Sequence, residues 1–217
     1  MAIVFIDTID TIPSFLAGDF DMRFSIILPV LLGALAGAAF AQPVDPEPDG
    51  IGIYFDEGAV AGSYCAEASM GTQLTAYLCL TRASQQSGFT AWECLLDASV
   101  EGVFSGFSLR GDAVNTASEP EFVVNLGTPL PYQLSSVLMD ITIEVVWEWP
   151  IGMRPLAVSS PRGPVTNLPA YEVAGDPGVF YPLQPPFGLE GGAGSDPKWC
   201  AGINDDTCLN GPQVAVE

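Results

Sequence analysis

The residues best suited to chemistry are Glu144 and Glu148, two carboxylates four positions apart in a run that alternates apolar and polar side chains. On one extended strand that spacing sets their Cα atoms about 13 Å apart at ~3.3 Å per residue. Long side chains then bring the carboxyls toward the roughly 5–10 Å that a glycosidase needs between its acid and its nucleophile or base. Nothing beside them supplies an apolar pocket to raise one pKa, and acids alternating along a wet sheet face give the same pattern. They stand as candidates for a carboxylate-dependent glycan hydrolase, the alternative to a non-enzymatic reading, and no catalytic residue is assigned.

A second set lies near the C-terminus, where Cys200 and Cys208 flank the segment AGINDDT. A disulfide between them would close a short loop worth about 2–3 kcal/mol by chain entropy, enough to order a tail. Within it Asn204, Asp205 and Asp206 offer oxygen ligands to calcium, although no acid alternation and no closing glutamate match the EF-hand spacing. Solvated loop acids explain them equally, so no metal or other cofactor is assigned. Cys79 and Cys94 form the next candidate pair, with Cys65–Cys79 competing. A simple hairpin would put Cys79 and Cys94 on opposite faces, which counts against their bridge.

The chain has no histidine, which removes the usual Ser-His-Asp and Cys-His arrangements and the commonest zinc and iron ligand sets. Its compartment is read from residues 22–41, MRFSIILPVLLGALAGAAFA. Arg23 opens the segment, an apolar run follows, and Ala39 and Ala41 stand at the −3 and −1 positions of a signal-peptidase site, with cleavage expected between Ala41 and Gln42. A retained anchor is the alternative. Residues 1–21 carry four aspartates and no base, so translation is expected to start at Met22.

Removing residues 1–41 takes four acids and one base from totals of 26 and six, leaving 22 against five, a net charge of −17. That field repels phosphate backbones and anionic lipid, so neither nucleic acid nor a membrane, beyond export or anchoring, is an expected partner. An unknown protein or glycan is. The expected location is secreted, periplasmic or cell surface.

The elements that must position these residues read as strands. Residues 42–50 (QPVDPEPDG) form a proline-rich acidic linker. Ile51, Ile53 and Phe55 alternate with polar or small residues, and residues 73–81 alternate with Leu74, Ala76, Leu78 and Leu80 on the core face. Residues 89–96 place Trp92, Cys94 and Leu96 together opposite Glu93, and with 73–81 they read as a long-looped hairpin. Residues 100–109 read as a strand bent at its glycines, and 121–126 as a strand ended by TPLP. Residues 136–149 are the strongest strand, with Val137, Met139, Ile141, Ile143, Val145, Trp147 and Trp149 on the core face. Beyond Pro150, prolines restrict the chain to loops and short edge strands at 165–173 and 179–183.

The resulting fold is all-β, an antiparallel β-sandwich of about seven to nine strands over residues 51–188, preceded by a signal helix and followed by a flexible, disulfide-stapled tail at 189–217. Tyr54, Tyr77, Tyr132, Tyr171, Tyr181 and Trp199 lie at expected strand margins or in loops, where aromatics either pack or make a binding platform.

With its signal segment, GIGIYFD at 50–56, SGFTAWEC at 87–94 and the VNLGTPLP run, the chain resembles uncharacterised secreted all-β proteins of environmental bacteria. More loosely it is similar to the immunoglobulin- and cohesin-like sandwiches of bacterial surface systems. The first resemblance implies no activity, and the second implies a fold and no site residue. The reading is a secreted or surface-exposed, non-enzymatic module for binding, adhesion or structure, with a calcium-stabilised domain as a minor alternative.

Overall fold

Leu74, Ala76, Leu78 and Leu80 are all buried, as their alternation requires, but the face they cover is that of another sheet rather than of the next strand in sequence. The computed structural model describes residues 48–60, 62–184 and 200–205. These contain twelve strands: β1 (Gly50–Tyr54), β2 (Cys65–Ala66), β3 (Gln73–Thr81), β4 (Phe89–Ala98), β5 (Phe104–Leu109), β6 (Ala113–Asn115), β7 (Glu121–Leu130), β8 (Ser135–Glu144), β9 (Ile151–Leu156), β10 (Ala170–Val173), β11 (Phe180–Pro182) and β12 (Ala201–Ile203). The chain divides between Ala41 and Gln42, and every described residue belongs to the second unit. The signal segment and its cleavage site lie outside the described residues.

The first sheet has the order β1-β3-β8-β5, and all three of its pairings are antiparallel. The second is organised on β4. One edge of β4 pairs with β7, which in turn pairs with β6. The other edge is shared, with β10 along Phe89–Glu93 and β9 along Leu95–Ala98. From β10 the sheet continues to β11, and from β9 through β12 to β2, where β12 and β2 are parallel. This is the expected all-β sandwich. The strands beyond the expected seven to nine are two- or three-residue pieces such as β2, β6, β11 and β12, too short to carry an alternating pattern.

The expected hairpin of residues 73–81 with 89–96 does not form. β3 and β4 lie in different sheets, and the connection between them arches from one to the other. Its last turn needs Gly88, at φ +89°, where a Cβ would meet the Leu130 carbonyl at 3.0 Å. The two apolar faces therefore meet across the core rather than side by side. Trp92 stacks on Phe122 at 5.9 Å and Phe107 meets the edge of Phe122 at 5.0 Å, so an aromatic column joins β4 and β7 to β5 of the opposite sheet. Full burial of each such ring contributes about 1.5–3 kcal/mol.

Two irregularities displace side chains from their expected faces. In β8 the register slips between Leu78 and Cys79 of its partner, so Leu138 is an extra residue. Ser136 and Leu138 thereby face the core and Val137 packs on the outside beside Tyr54, Ala59 and Cys79, whereas Met139, Ile141 and Ile143 keep the core face. In β7 the strand runs on through Pro129 to Leu130 instead of stopping before TPLP. Its pairing with β4 skips from Asn125 to Leu130, and the proline, which has no N–H to donate, falls within that skip.

The linker also enters the fold earlier than expected. The Asp49 amide donates to the Arg82 carbonyl, and its carboxylate accepts from the Ser84 amide and the Tyr171 hydroxyl.

Candidate functional site

Five chain segments reach one end of the sandwich: the end of β2, the start of β3, the end of β8, the start of β9 and the end of β12. Two connections, 67–72 and 145–150, are joined there by backbone bonds from the Gly71 amide to the Val145 carbonyl (2.7 Å) and from the Val145 amide to the Thr72 carbonyl (2.9 Å). A third, 99–103, is tied in because the Glu144 amide donates to the Val103 carbonyl and the Ser99 amide to the Gly152 carbonyl, both at 2.9 Å. Asn204 closes the end of β12 with its side chain, Oδ1 accepting from the Ala68 amide at 2.9 Å and Nδ2 donating to the Ala68 carbonyl at 2.7 Å. That amide copies a strand partner and fastens the 67–72 connection to the second sheet.

This end carries the most exposed tryptophans among the described residues. Trp149 is 72% exposed and Trp147 51%, with Met70 at 61% on the connection bonded to theirs. An open cleft of about 480 Å³ adjoins, lined by Glu67, Ala68, Ser69 and Asn204. Both tryptophans were expected on the core face of a strand reaching residue 149. The regular strand ends at Glu144, Val145 is the last buried residue of the run, and the chain turns outward to cross to β9. The sequence holds the signal for this: Glu148 between two tryptophans, immediately before Pro150, marks a strand terminus more than a core.

Glu144 and Glu148 do not share a strand face. Glu144 is the last residue of β8 and Glu148 lies in the connection beyond it, both exposed. Of the calcium candidates, Asn204 spends its amide on Ala68, Asp205 follows it, and Asp206 lies outside the described residues. Among the described residues no cluster of three metal-ligating side chains occurs.

The cysteines depart from the expected Cys79–Cys94 pairing and from its competitor Cys65–Cys79. Cys79 and Cys94 are buried thiols, Cys65 is disulfide-bonded and Cys200 is buried; Cys208 lies outside the described residues. Cys79 and Cys94 are in different sheets, Cys79 on the outer face of the first and Cys94 in the core, so the bridge fails for the reason the hairpin does. Cys208 of the expected Cys200–Cys208 staple lies outside the described residues, and the tail is no free loop where that staple begins: residues 201–203 are a strand between β9 and β2. Burial pushes the Cys79 thiol up to about 12, and burial followed by the charge of Glu93 raises that of Cys94.

Of the expected aromatic platform, Tyr54 and Tyr171 are fully buried, Tyr77, Tyr132 and Tyr181 are half-buried, and Trp199 lies outside the described residues. Burial, then the hydrogen bond to Asp49, raises the Tyr171 hydroxyl.

Sequence reading also missed a buried ion pair. Glu93 does point away from Trp92 and Cys94, yet it is fully buried, because the connection between β9 and β10 lays Arg162 over it. Arg162 Nε donates to Glu93 Oε2 at 3.1 Å, and its other nitrogens donate to Asn125 Oδ1 and the Trp92 and Val124 carbonyls. The guanidinium lies 4.9 Å from the Phe180 ring centre. Glu93 Oε1 has no hydrogen-bond partner among the described residues.

No family model matches the chain, and no curated protein is similar to it. Among solved structures it is similar to a cohesin module from the family 33 glycoside hydrolase of Clostridium perfringens, at 11% identity and a TM-score of 0.41, over 62% of this chain and 89% of that one.

Proposed function

We propose that this chain is a secreted or surface-exposed, non-enzymatic binding module that holds a partner at the Trp147/Trp149 end of its sandwich. The observation that carries the reading is the exposure of both tryptophans, with Met70, on connections joined to each other by main-chain bonds and fastened to the second sheet by the Asn204 side chain. Large aromatics left in water at a rigid position lose little entropy on binding and supply much of the contact energy in interfaces. Elsewhere the large aromatics Trp92, Tyr54, Tyr171, Phe89 and Phe122 are spent on packing. A location outside the cytoplasm is supported by the 22–41 segment and by the disulfide at Cys65, a bond that persists in oxidising compartments.

The test is a screen of the full chain against a glycan array and a peptide array, alongside Trp147→Ser/Trp149→Ser and a Val114→Ser control. Signals lost in the tryptophan variant and kept in the control support the proposal. Signals indifferent to the tryptophans, or glycan turnover abolished by Glu144→Gln or Glu148→Gln, overturn it. The mature protein is expected to begin at Gln42, which N-terminal sequencing of exported protein checks.

A further inference from the structure

We infer that the partner taken up at this end is a cationic peptide segment, whose arginine or lysine side chains stack on Trp147 and Trp149. This rests on the binding reading above and adds the partner's chemistry. Every charged residue of the connections that meet there is an acid: Glu67 on 67–72, Glu101 on 99–103 and Glu148 on 145–150, with Glu144 at the end of β8 beside them. These stretches contain no lysine or arginine. The described arginines that meet carboxylates do so elsewhere: Arg110 with Glu57 and Asp140, Arg154 with Asp97, and Arg162 with Glu93. The end therefore combines exposed indole faces with a one-signed field.

Those two properties select the same occupant. The negative face of an indole ring attracts a cation placed over it, tryptophan more than tyrosine or phenylalanine. A rim of carboxylates steers positive charge to the site and disfavours an acidic competitor. A neutral sugar gains the stacking and nothing from the field. Arginine is favoured over lysine, because its planar guanidinium stacks flat and is more weakly hydrated.

The experiment is a tryptophan-fluorescence and calorimetric titration of the full chain with capped nine-residue peptides alternating glycine with arginine, with lysine or with glutamate, and with a neutral β-glucan oligosaccharide. The arginine peptide is expected to bind best and the glutamate peptide not at all. Trp147→Ala/Trp149→Ala is expected to weaken the arginine peptide about tenfold, and Glu101→Gln/Glu148→Gln to weaken it less while flattening its salt dependence. Arginine-peptide binding that survives loss of both tryptophans would come from the general negative charge and overturns the inference. Tryptophan-dependent binding of the glucan in preference to the peptides overturns the inference while leaving the binding reading standing. If none of the probes binds and the arrays give no tryptophan-dependent signal, both fall.

Discussion

On the outer face of the second sheet, Arg162 lies 4.9 Å from the Phe180 ring with its Nε 3.1 Å from a buried Glu93 oxygen. At the end where β8 hands over to β9, Trp147 and Trp149 stand among glutamates with no basic residue on the converging connections. Both regions hold aromatic rings and carboxylates, but among the described residues only the first contains a cation. Where the set is complete, it is sealed: Glu93 has no exposure, and five described groups share the guanidinium. Where the cation is lacking, the rings remain in water. A residue type therefore does not tell structure from function here, since the same chemistry closes one surface and leaves another open. What separates them is whether the chain itself returns to cover the face, as the β9–β10 connection does.

The sharpest way to break this contrast is Arg162→Ala. It strands a fully buried carboxylate, and removal of one partner from such a pair costs about 3–5 kcal/mol. Urea unfolding measures this, and Arg162→Met combined with Glu93→Leu is expected to restore most of the loss. A change below ~1 kcal/mol would place the pair among exposed ones and dissolve the distinction between closed and open regions. Tyr171→Phe probes a second closed point. It leaves the ring against Phe89 and Tyr181 but removes the hydroxyl bonded to Asp49, at an expected cost of about 1–2 kcal/mol.

The outer face of the first sheet gives a test by pH. Burial holds the Cys79 thiol at about 12, against 9.0 for an open thiol, so its contribution to stability is complete below pH 9 and fades as pH rises toward 12. Cys79→Ala is expected to flatten that alkaline decline in thermal melts, and native Cys79 and Cys94 are expected to resist thiol reagents at pH 8 until the protein unfolds. The smallest stability effect belongs to the open end: Trp147→Ala and Trp149→Ala are each expected to change unfolding free energy by no more than ~0.5 kcal/mol. A larger loss would mean the tryptophans pack after all.

The sandwich was legible because its long strands obey a two-residue period: Leu74 to Leu80, Trp92 to Leu96, and Met139 to Ile143 all face the core as written. Partner choice was not. Period fixes which side of a strand is dry, while the arch through Gly88 that sends β3 and β4 into opposite sheets depends on backbone geometry shared with Leu130, 42 positions away. The alternation puts Glu93 on the correct face, but a strand pattern cannot reveal that a loop about 70 residues downstream covers it. The candidate site was hidden in the strongest signal of all. The alternation from Met139 simply continues through Trp147 and Trp149 after the ladder has stopped, and only Glu148 and Pro150 announce the end.

The place of β12 sets the order in which the molecule can be completed. Residues 201–203 fill the slot between β9 and β2, so Gly202 pairs with both Gly152 and Cys65, the latter 137 positions earlier. A chain made from its N-terminus must keep β2 and the free edge of β9 without their intervening strand until residues 201–203 have emerged. Such distant pairing slows folding and leaves strand edges open to other chains in the meantime. Crowded synthesis is thus the condition under which this domain is most exposed to aggregation, and β12 is the strand that ends that exposure.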